Sequence, residues 1–125
     1  MSMCLDPLIF GPHYWTVIHL TCFNSGNKPD DIAKFIDTLP AILPCIDCSD
    51  HLKENLKMLP FNKEDPFRWS VDLHNLVNSQ LGKPTFDYET ARQYWQDKCD
   101  GKKPRDYKLV IIVLLVLVVV GMAFR

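Results

Sequence analysis

Two cysteines in the segment LPCIDCSDH, residues 43–51, have the spacing of a reactive pair. Cys45 and Cys48 are separated by two residues, and His51 follows three positions later. This pattern is typical of a redox-active disulfide or of half a zinc site, although two ordinary core thiols can have the same spacing. The chain contains 5 cysteines, an odd number spread unevenly, so they do not indicate a fold stapled by disulfides.

The helix predicted to begin near Cys45 and to end at Pro60 places the pair in its first turn. Unpaired N–H groups and the positive end of the helix dipole stabilise a thiolate at that position. Cys45 and Cys48 lie one turn apart there, close enough to form a disulfide. In a redox site we expect Cys45 to exchange with a substrate and Cys48 to pass electrons to a buried acceptor.

Zinc binding is the main alternative to redox chemistry. A set of two cysteines and two histidines has ligand types that suit tetrahedral zinc. Its members would be Cys45, Cys48, His51 and His74, or His19 in place of His74. Under this hypothesis the protein is a tail-anchored adapter module whose small bundle is stapled by zinc. A third hypothesis is a redox sensor that binds no flavin. The residues alone leave redox catalysis, zinc binding and redox sensing open.

A second group of residues that suits ligand binding lies on the longest predicted helix, residues 66–82. His74 and Asn78 share a face of this helix, and Asn75 stands beside them. Their side chains offer both donors and acceptors, which a flat heterocycle and its ribityl or phosphate oxygens require. Lys83, just after the helix, has the charge to bind a pyrophosphate. Aromatic rings suited to stacking on such a heterocycle are Trp15, Trp69, Tyr94 and Trp95.

An all-α domain must position these residues, because helical periodicity recurs along the chain and strand alternation does not. Proline and glycine separate the helices, and a compact bundle of four to five helices builds a ligand site from facing side chains. The second helix is predicted to end at Pro40. The helices are predicted at about residues 12–24, 30–39, 45–59, 66–82 and 87–99.

The C-terminal part of the chain differs in character from the predicted domain, residues 1–101. A basic linker, residues 102–108, precedes the uncharged apolar run 109–124. Such a run favours a single transmembrane anchor, and the basic residues before it favour a cytosolic position for the domain. No N-terminal signal peptide is visible. With 14 Lys and Arg against 15 Asp and Glu and no basic stripe, nucleic acid is not an expected partner.

Three segments, in this order and at these spacings, resemble the Erv/ALR-type FAD-linked sulfhydryl oxidases: GPHYWTVIH, LPCIDCSDH and LHNLVNSQLGKPTFDYETARQYW. The resemblance covers Gly11 to Trp95. It implies a helical bundle that holds FAD, oxidises paired thiols to disulfides and reduces dioxygen to hydrogen peroxide. It also implies that Cys45 and Cys48 are the catalytic pair, with Cys48 nearer the flavin. The implied FAD-binding residues are Gly11, Trp15, His19, His51, His74, Asn75, Val77, Asn78, Lys83, Tyr94 and Trp95.

The chain departs from many members of this family in two respects. It has no second C-x-x-C to act as a shuttle, so Cys45 is expected to exchange directly with a thioredoxin-like or glutaredoxin-like carrier or another thiol-containing protein. Val71 and Tyr88 stand where many members have a structural disulfide, which makes FAD and a homodimer more important for the fold. The chain also resembles the compact oxidases of large cytoplasmic DNA viruses. That likeness implies action on virion proteins and a place in a virion membrane.

Overall fold

The computed structural model describes residues 6–24, 26–102 and 115, and within these ranges it contains α-helices and no strand. Five helices follow one another there: α1 (Pro7–Phe23), α2 (Pro29–Ile42), α3 (Ile46–Met58), α4 (Pro66–Gln80) and α5 (Tyr88–Cys99). The predicted all-α class is therefore confirmed. The chain divides into two compact units, residues 1–95 and 96–125, and every site residue discussed below lies in the first.

Two helix boundaries differ from the prediction. Helix α1 starts at Pro7 rather than Pro12, because the Asp6 carboxylate accepts a hydrogen bond from the Leu8 N–H at 2.9 Å and caps the helix. Helix α2 continues through Pro40 to Ile42. A proline inside a helix removes one backbone hydrogen bond, whereas burial of the Pro40 ring contributes favourably to stability.

The core forms where α1 packs against α4, α2 packs against α3, and α3 touches α4. Trp69 lies in this core with 2% of its surface exposed. Its indole N–H donates to the Leu59 carbonyl at 3.1 Å, and Phe61 meets its ring edge-on. Trp69 is therefore a core residue and not the stacking surface that the sequence suggested. The buried cluster consists of Ile18, Cys22, Ile32, Ile36, Leu39, Leu52, Trp69 and Leu73.

The start of α3 is attached to the end of α2 through Ser49. The Pro40 carbonyl would ordinarily accept from the N–H four residues later, but that residue is Pro44, which has none. The buried Ser49 hydroxyl donates to this carbonyl instead. Farther along α3, the amides of Asn55 and Gln80 exchange hydrogen bonds of 3.0 and 2.7 Å and tie α3 to α4. The helix that carries the cysteine pair is therefore fixed at two points.

The second unit contains, among the described residues, the end of α5, the segment up to Lys102, and Leu115. Asp97 pairs with Lys102 at 3.3 Å. A membrane span needs about 20 apolar residues. The longest helix in the described ranges has 17 residues, and none there is both long and apolar enough to cross a membrane. This finding contradicts the predicted membrane location. The predicted linker and anchor, residues 102–108 and 109–124, lie outside the described residues except for Lys102 and Leu115.

Candidate functional site

The cysteine pair forms a disulfide at the N-terminus of α3. Cys45 is the capping residue, and its Sγ accepts a hydrogen bond from the Cys48 N–H at 3.2 Å. The two Cα atoms are 5.2 Å apart, within the ordinary range for a disulfide. Both cysteines are half-buried. A single helical turn therefore holds both sulfur atoms in a position that a partner's thiolate can approach.

Two histidines from different helices form the centre of a second cluster. The Nε2 atom of His19, on α1, lies 2.9 Å from the Nδ1 atom of His74, on α4. The other ring nitrogen of His19 lies 2.9 Å from the Ser70 hydroxyl. Burial, followed by the charge of His74, lowers the pKa of His19 to about 3. Burial, followed by the charge of Lys83, lowers the pKa of His74 to about 4. Both rings are therefore neutral near pH 7.

Aromatic rings surround the histidine pair. Trp15 stacks on His74, with ring centroids 4.0 Å apart and ring planes 7° apart. The Trp95 ring lies 5.3 Å from His19, and Tyr94 meets Trp95 edge-on at 5.0 Å. The structure thus brings five predicted site residues from α1, α4 and α5 into one cluster. A planar ligand that enters such a cluster finds both aromatic faces and imidazole nitrogens.

The polar residues that follow His74 have different environments. The Asn75 amide exchanges two hydrogen bonds of 2.8 Å with the Phe86 backbone and so holds the loop after α4. Asn78 is only 7% exposed, yet its side-chain amide makes none of the hydrogen bonds found among the described residues. The Asn78 carbonyl accepts from the Lys83 N–H at 2.8 Å, and Gly82 has the positive φ of 68° that this helix ending requires. Lys83 is therefore fixed at the end of α4.

Three further predicted FAD contacts are spread over three helices. Gly11 lies on α1, and a Cβ added there would have no atom within 4 Å. Val77 is half-buried on α4, and His51 is exposed on α3. The contacts of these residues with FAD stay predictions.

The donor set suits a flavin nucleotide better than a metal ion. Asn78 supplies a free amide, Trp15 an aromatic face, and Lys83 a cation for a phosphate group. Among residues 6–24 and 26–102, no three His, Cys, Asp or Glu side chains are grouped so that they could hold a metal ion. The side chains therefore do not form the zinc site of the alternative hypothesis, whose ligands were Cys45, Cys48, His51 and His74.

Two serines that touch the site were missed by the sequence analysis. Ser70 precedes His74 by one helical turn and so shares its face of α4, a spacing that was visible in the sequence. Ser49 follows Cys48 directly, but its role depends on the missing N–H of Pro44 and on the approach of α2. Serine occurs in many environments, so the presence of a serine does not by itself indicate a functional site.

Acid is expected to destabilise the protein through the buried His19 and the half-buried His74. An unfolded histidine has a pKa of about 6.5, whereas the folded values are about 3 for His19 and about 4 for His74. Below pH about 6.5 the unfolded state therefore binds more protons than the folded state, and the free energy of unfolding decreases. This contribution is complete above pH about 6.5 and is lost as the pH falls towards the folded pKa values.

Urea unfolding of the FAD-free protein between pH about 7.5 and about 4.5 measures this dependence. The matched control is His13→Ala, which changes an exposed histidine of α1 and should keep the wild-type slope. His74→Gln removes one titrating group and should give a shallower slope. Equal slopes for wild type and His74→Gln would contradict the assignment.

The Erv1 / Alr family model matches residues 12–96. A protein of Invertebrate iridescent virus 6, named as an FAD-linked sulfhydryl oxidase, is 32% identical over 109 residues, which cover 74% of this chain and 96% of the relative. The FAD-linked sulfhydryl oxidase ERV1 of Arabidopsis thaliana is 31% identical over 100 residues, which cover 69% of this chain and 52% of the relative.

The solved structures contain the same fold. A crystal structure of a cysteine-to-serine mutant of Erv1 from Saccharomyces cerevisiae superimposes with a TM-score of 0.66 at 23% sequence identity, covering 74% of this chain and 86% of that one. The helical bundle thus has the fold of a known class of protein. The chain belongs to the Erv1 / Alr family, as the sequence segments predicted.

Proposed function

We infer that the protein is an FAD-dependent thiol oxidase, which forms disulfides in partner proteins and reduces dioxygen to hydrogen peroxide. The observation that carries this conclusion is the disulfide in the first turn of α3, in a chain of the Erv1 / Alr family. Relatives from viruses, plants and yeast are named as FAD-linked sulfhydryl oxidases. The predicted enzyme class and its FAD cofactor are thereby confirmed.

The residues proposed to hold FAD come from several helices. When bound, FAD would supply the two-electron redox chemistry that connects the reduced cysteine pair to dioxygen. The free amide of Asn78 and the faces of Trp15 and Trp95 would bind its ring systems, and Lys83 would bind a phosphate. The other proposed contacts are Gly11, His19, His51, His74, Asn75, Val77 and Tyr94.

The cysteine pair carries out the exchange with the substrate. A substrate thiolate attacks the Sγ atom of Cys45, which breaks the bond to Cys48 and leaves Cys48 as a thiolate. A second substrate thiolate then attacks the substrate sulfur of this mixed disulfide and releases the Cys45 thiolate. One disulfide forms in the substrate and one is lost in the enzyme, so electrons balance, and solvent takes up the protons. The assignment of the exchanging role to Cys45 and the electron-transferring role to Cys48 is part of the proposal.

Protein substrates are proposed because apolar side chains flank the disulfide. Ile42 and Ile46 are 52% and 68% exposed on either side of Cys45. Exposed aliphatic groups around a reactive pair favour contact with a protein segment over contact with a small hydrophilic thiol. A thioredoxin-like or glutaredoxin-like carrier is therefore the proposed partner class. Virion proteins are proposed as the final substrates, since some of the similar oxidases come from viruses.

A homodimer is also proposed. Helix α1 presents Ile9, Val17 and Leu20 along one side, exposed by 61%, 50% and 37%. These three side chains lie on one side of α1, together with the exposed His13, and a second copy of the helix would cover them. Sedimentation analysis of the FAD-bound protein tests this, and a monomer at micromolar concentration would contradict it.

The visible absorption spectrum of the purified chain, residues 1–125, tests the proposed function. We expect a yellow protein whose colour is lost on addition of a dithiol without air and returns when air is admitted. Hydrogen peroxide should appear during the aerobic reaction. A protein that takes up no FAD, or whose flavin is not reduced by dithiol, would overturn the proposal.

A further inference from the structure

A chain of hydrogen bonds runs from the backbone of α4 to the histidine pair. It begins at the Phe67 carbonyl, which lies 2.7 Å from the hydroxyl of Ser70, a fully buried residue. A carbonyl oxygen only accepts hydrogen bonds, so the Ser70 hydroxyl proton must lie on this bond. The Ser70 oxygen can then only accept from its other neighbour, Nδ1 of His19, at 2.9 Å. His19 must therefore carry its proton on Nδ1.

The proton position on His74 is fixed by its bond to His19. With its proton on Nδ1, neutral His19 has a lone pair on Nε2, which faces Nδ1 of His74 at 2.9 Å. His74 must donate this bond, so its own proton also lies on Nδ1. The remaining nitrogen of His74, Nε2, then carries a lone pair and no proton. No hydrogen bond among the described residues uses that atom.

We propose that Ser70 is a positioning residue that sets the tautomer of His74 through His19, so that His74 offers only an acceptor, Nε2, to the bound cofactor. The contact between His74 and a bound cofactor rests on the proposed function. The partner of His74 is then a hydroxyl or N–H group, as found on a ribityl chain or a heterocycle, and not a phosphate oxygen. Phosphate recognition falls to cationic Lys83 instead.

Nitrogen-15 NMR of the histidine rings in the purified chain without FAD tests the tautomers. The wild type should show Nδ1–H and unprotonated Nε2 for both His19 and His74 near pH 7. A wild-type His74 with its proton on Nε2 would overturn the proposal without any mutation. Because this measurement needs no flavin, its outcome is independent of whether the protein is an oxidase.

The Ser70→Ala variant tests the role of the serine. It should convert His19 and His74 to mixtures of tautomers and weaken FAD binding by roughly fivefold to tenfold, the effect of one lost hydrogen bond. Ser79→Ala, on an exposed position of the same helix, should change neither property. Unchanged tautomers and unchanged FAD affinity in Ser70→Ala would overturn the proposal. If this variant does not fold, FAD is added to the wild type instead and the nitrogen-15 signal of His74 Nε2 is measured. An Nε2 atom that accepts a hydrogen bond from FAD should show a shifted signal and should gain no proton.

Discussion

Replacement of Cys48 by serine is expected to lower dithiol oxidation at least about a thousandfold, the order of effect seen when an essential nucleophile is removed. A serine oxygen cannot form a disulfide with Cys45, so the pair in the first turn of α3 can no longer exchange electrons. The flavin should stay bound, because Cys48 is half-buried and serine is close to it in size. Oxygen consumption with a dithiol and the flavin spectrum measure the two properties.

The control for this substitution is Cys99→Ser, which changes an exposed cysteine outside the pair and should leave turnover near the wild-type rate. The two single variants also separate the roles within the pair. Cys48→Ser leaves Cys45 able to form a mixed disulfide with a substrate, which mass spectrometry would detect, whereas Cys45→Ser should trap far less. Turnover retained in Cys48→Ser would show that another thiol carries the electrons.

Replacement of His74 by alanine is expected to weaken FAD binding by about tenfold to a hundredfold, because the acceptor that His74 Nε2 offers to the cofactor is lost, and about 1–3 kcal/mol with it. In the substituted protein the Nε2 atom of His19 lacks its donor, and Trp15 loses the ring on which it stacks. The purified variant should therefore lose its yellow colour on dilution or dialysis. Flavin fluorescence titration measures the affinity.

The matched control for His74→Ala is His13→Ala, at an exposed position of α1, which should bind FAD as the wild type does. Thermal unfolding without FAD provides a second measurement, since the orphaned His19 nitrogen also costs stability in the empty protein. Wild-type affinity together with wild-type stability in His74→Ala would refute the placement of this residue at the centre of the site.

Helix positions were largely readable from the sequence because proline and glycine mark most of their ends. Pro66 begins α4, and Gly82 follows its last turn with the backbone conformation that glycine favours. The early start of α1 depended on capping by Asp6, a signal that was present but unused. The passage of α2 through Pro40 could not be predicted locally, because the burial of this proline depends on tertiary packing.

The site was predictable where residue spacing within one helix determines it. His74 and Asn78 lie one turn apart in any helix, and Cys45 and Cys48 lie in one turn for the same reason. Contacts between distant segments were not predictable in this way. The bond between His19 and Ser70 joins residues far apart in the chain, and the burial of Trp69 depends on how α3 and α4 meet.

The attachment of Ser49 to the Pro40 carbonyl has a consequence for repeated turnover. Its hydrogen bond ties the start of α3 to α2 through atoms that take no part in thiol exchange. The 2.9 Å bond from the Ser49 N–H to the Cys45 carbonyl holds the first turn of α3 itself. When the disulfide opens, the two thiols therefore remain neighbours at a very high effective concentration. If a mixed disulfide between Cys45 and a substrate stalls, the Cys48 thiolate can attack Cys45, form the Cys45–Cys48 disulfide again and release the substrate. The enzyme is therefore not trapped in a covalent complex with its substrate.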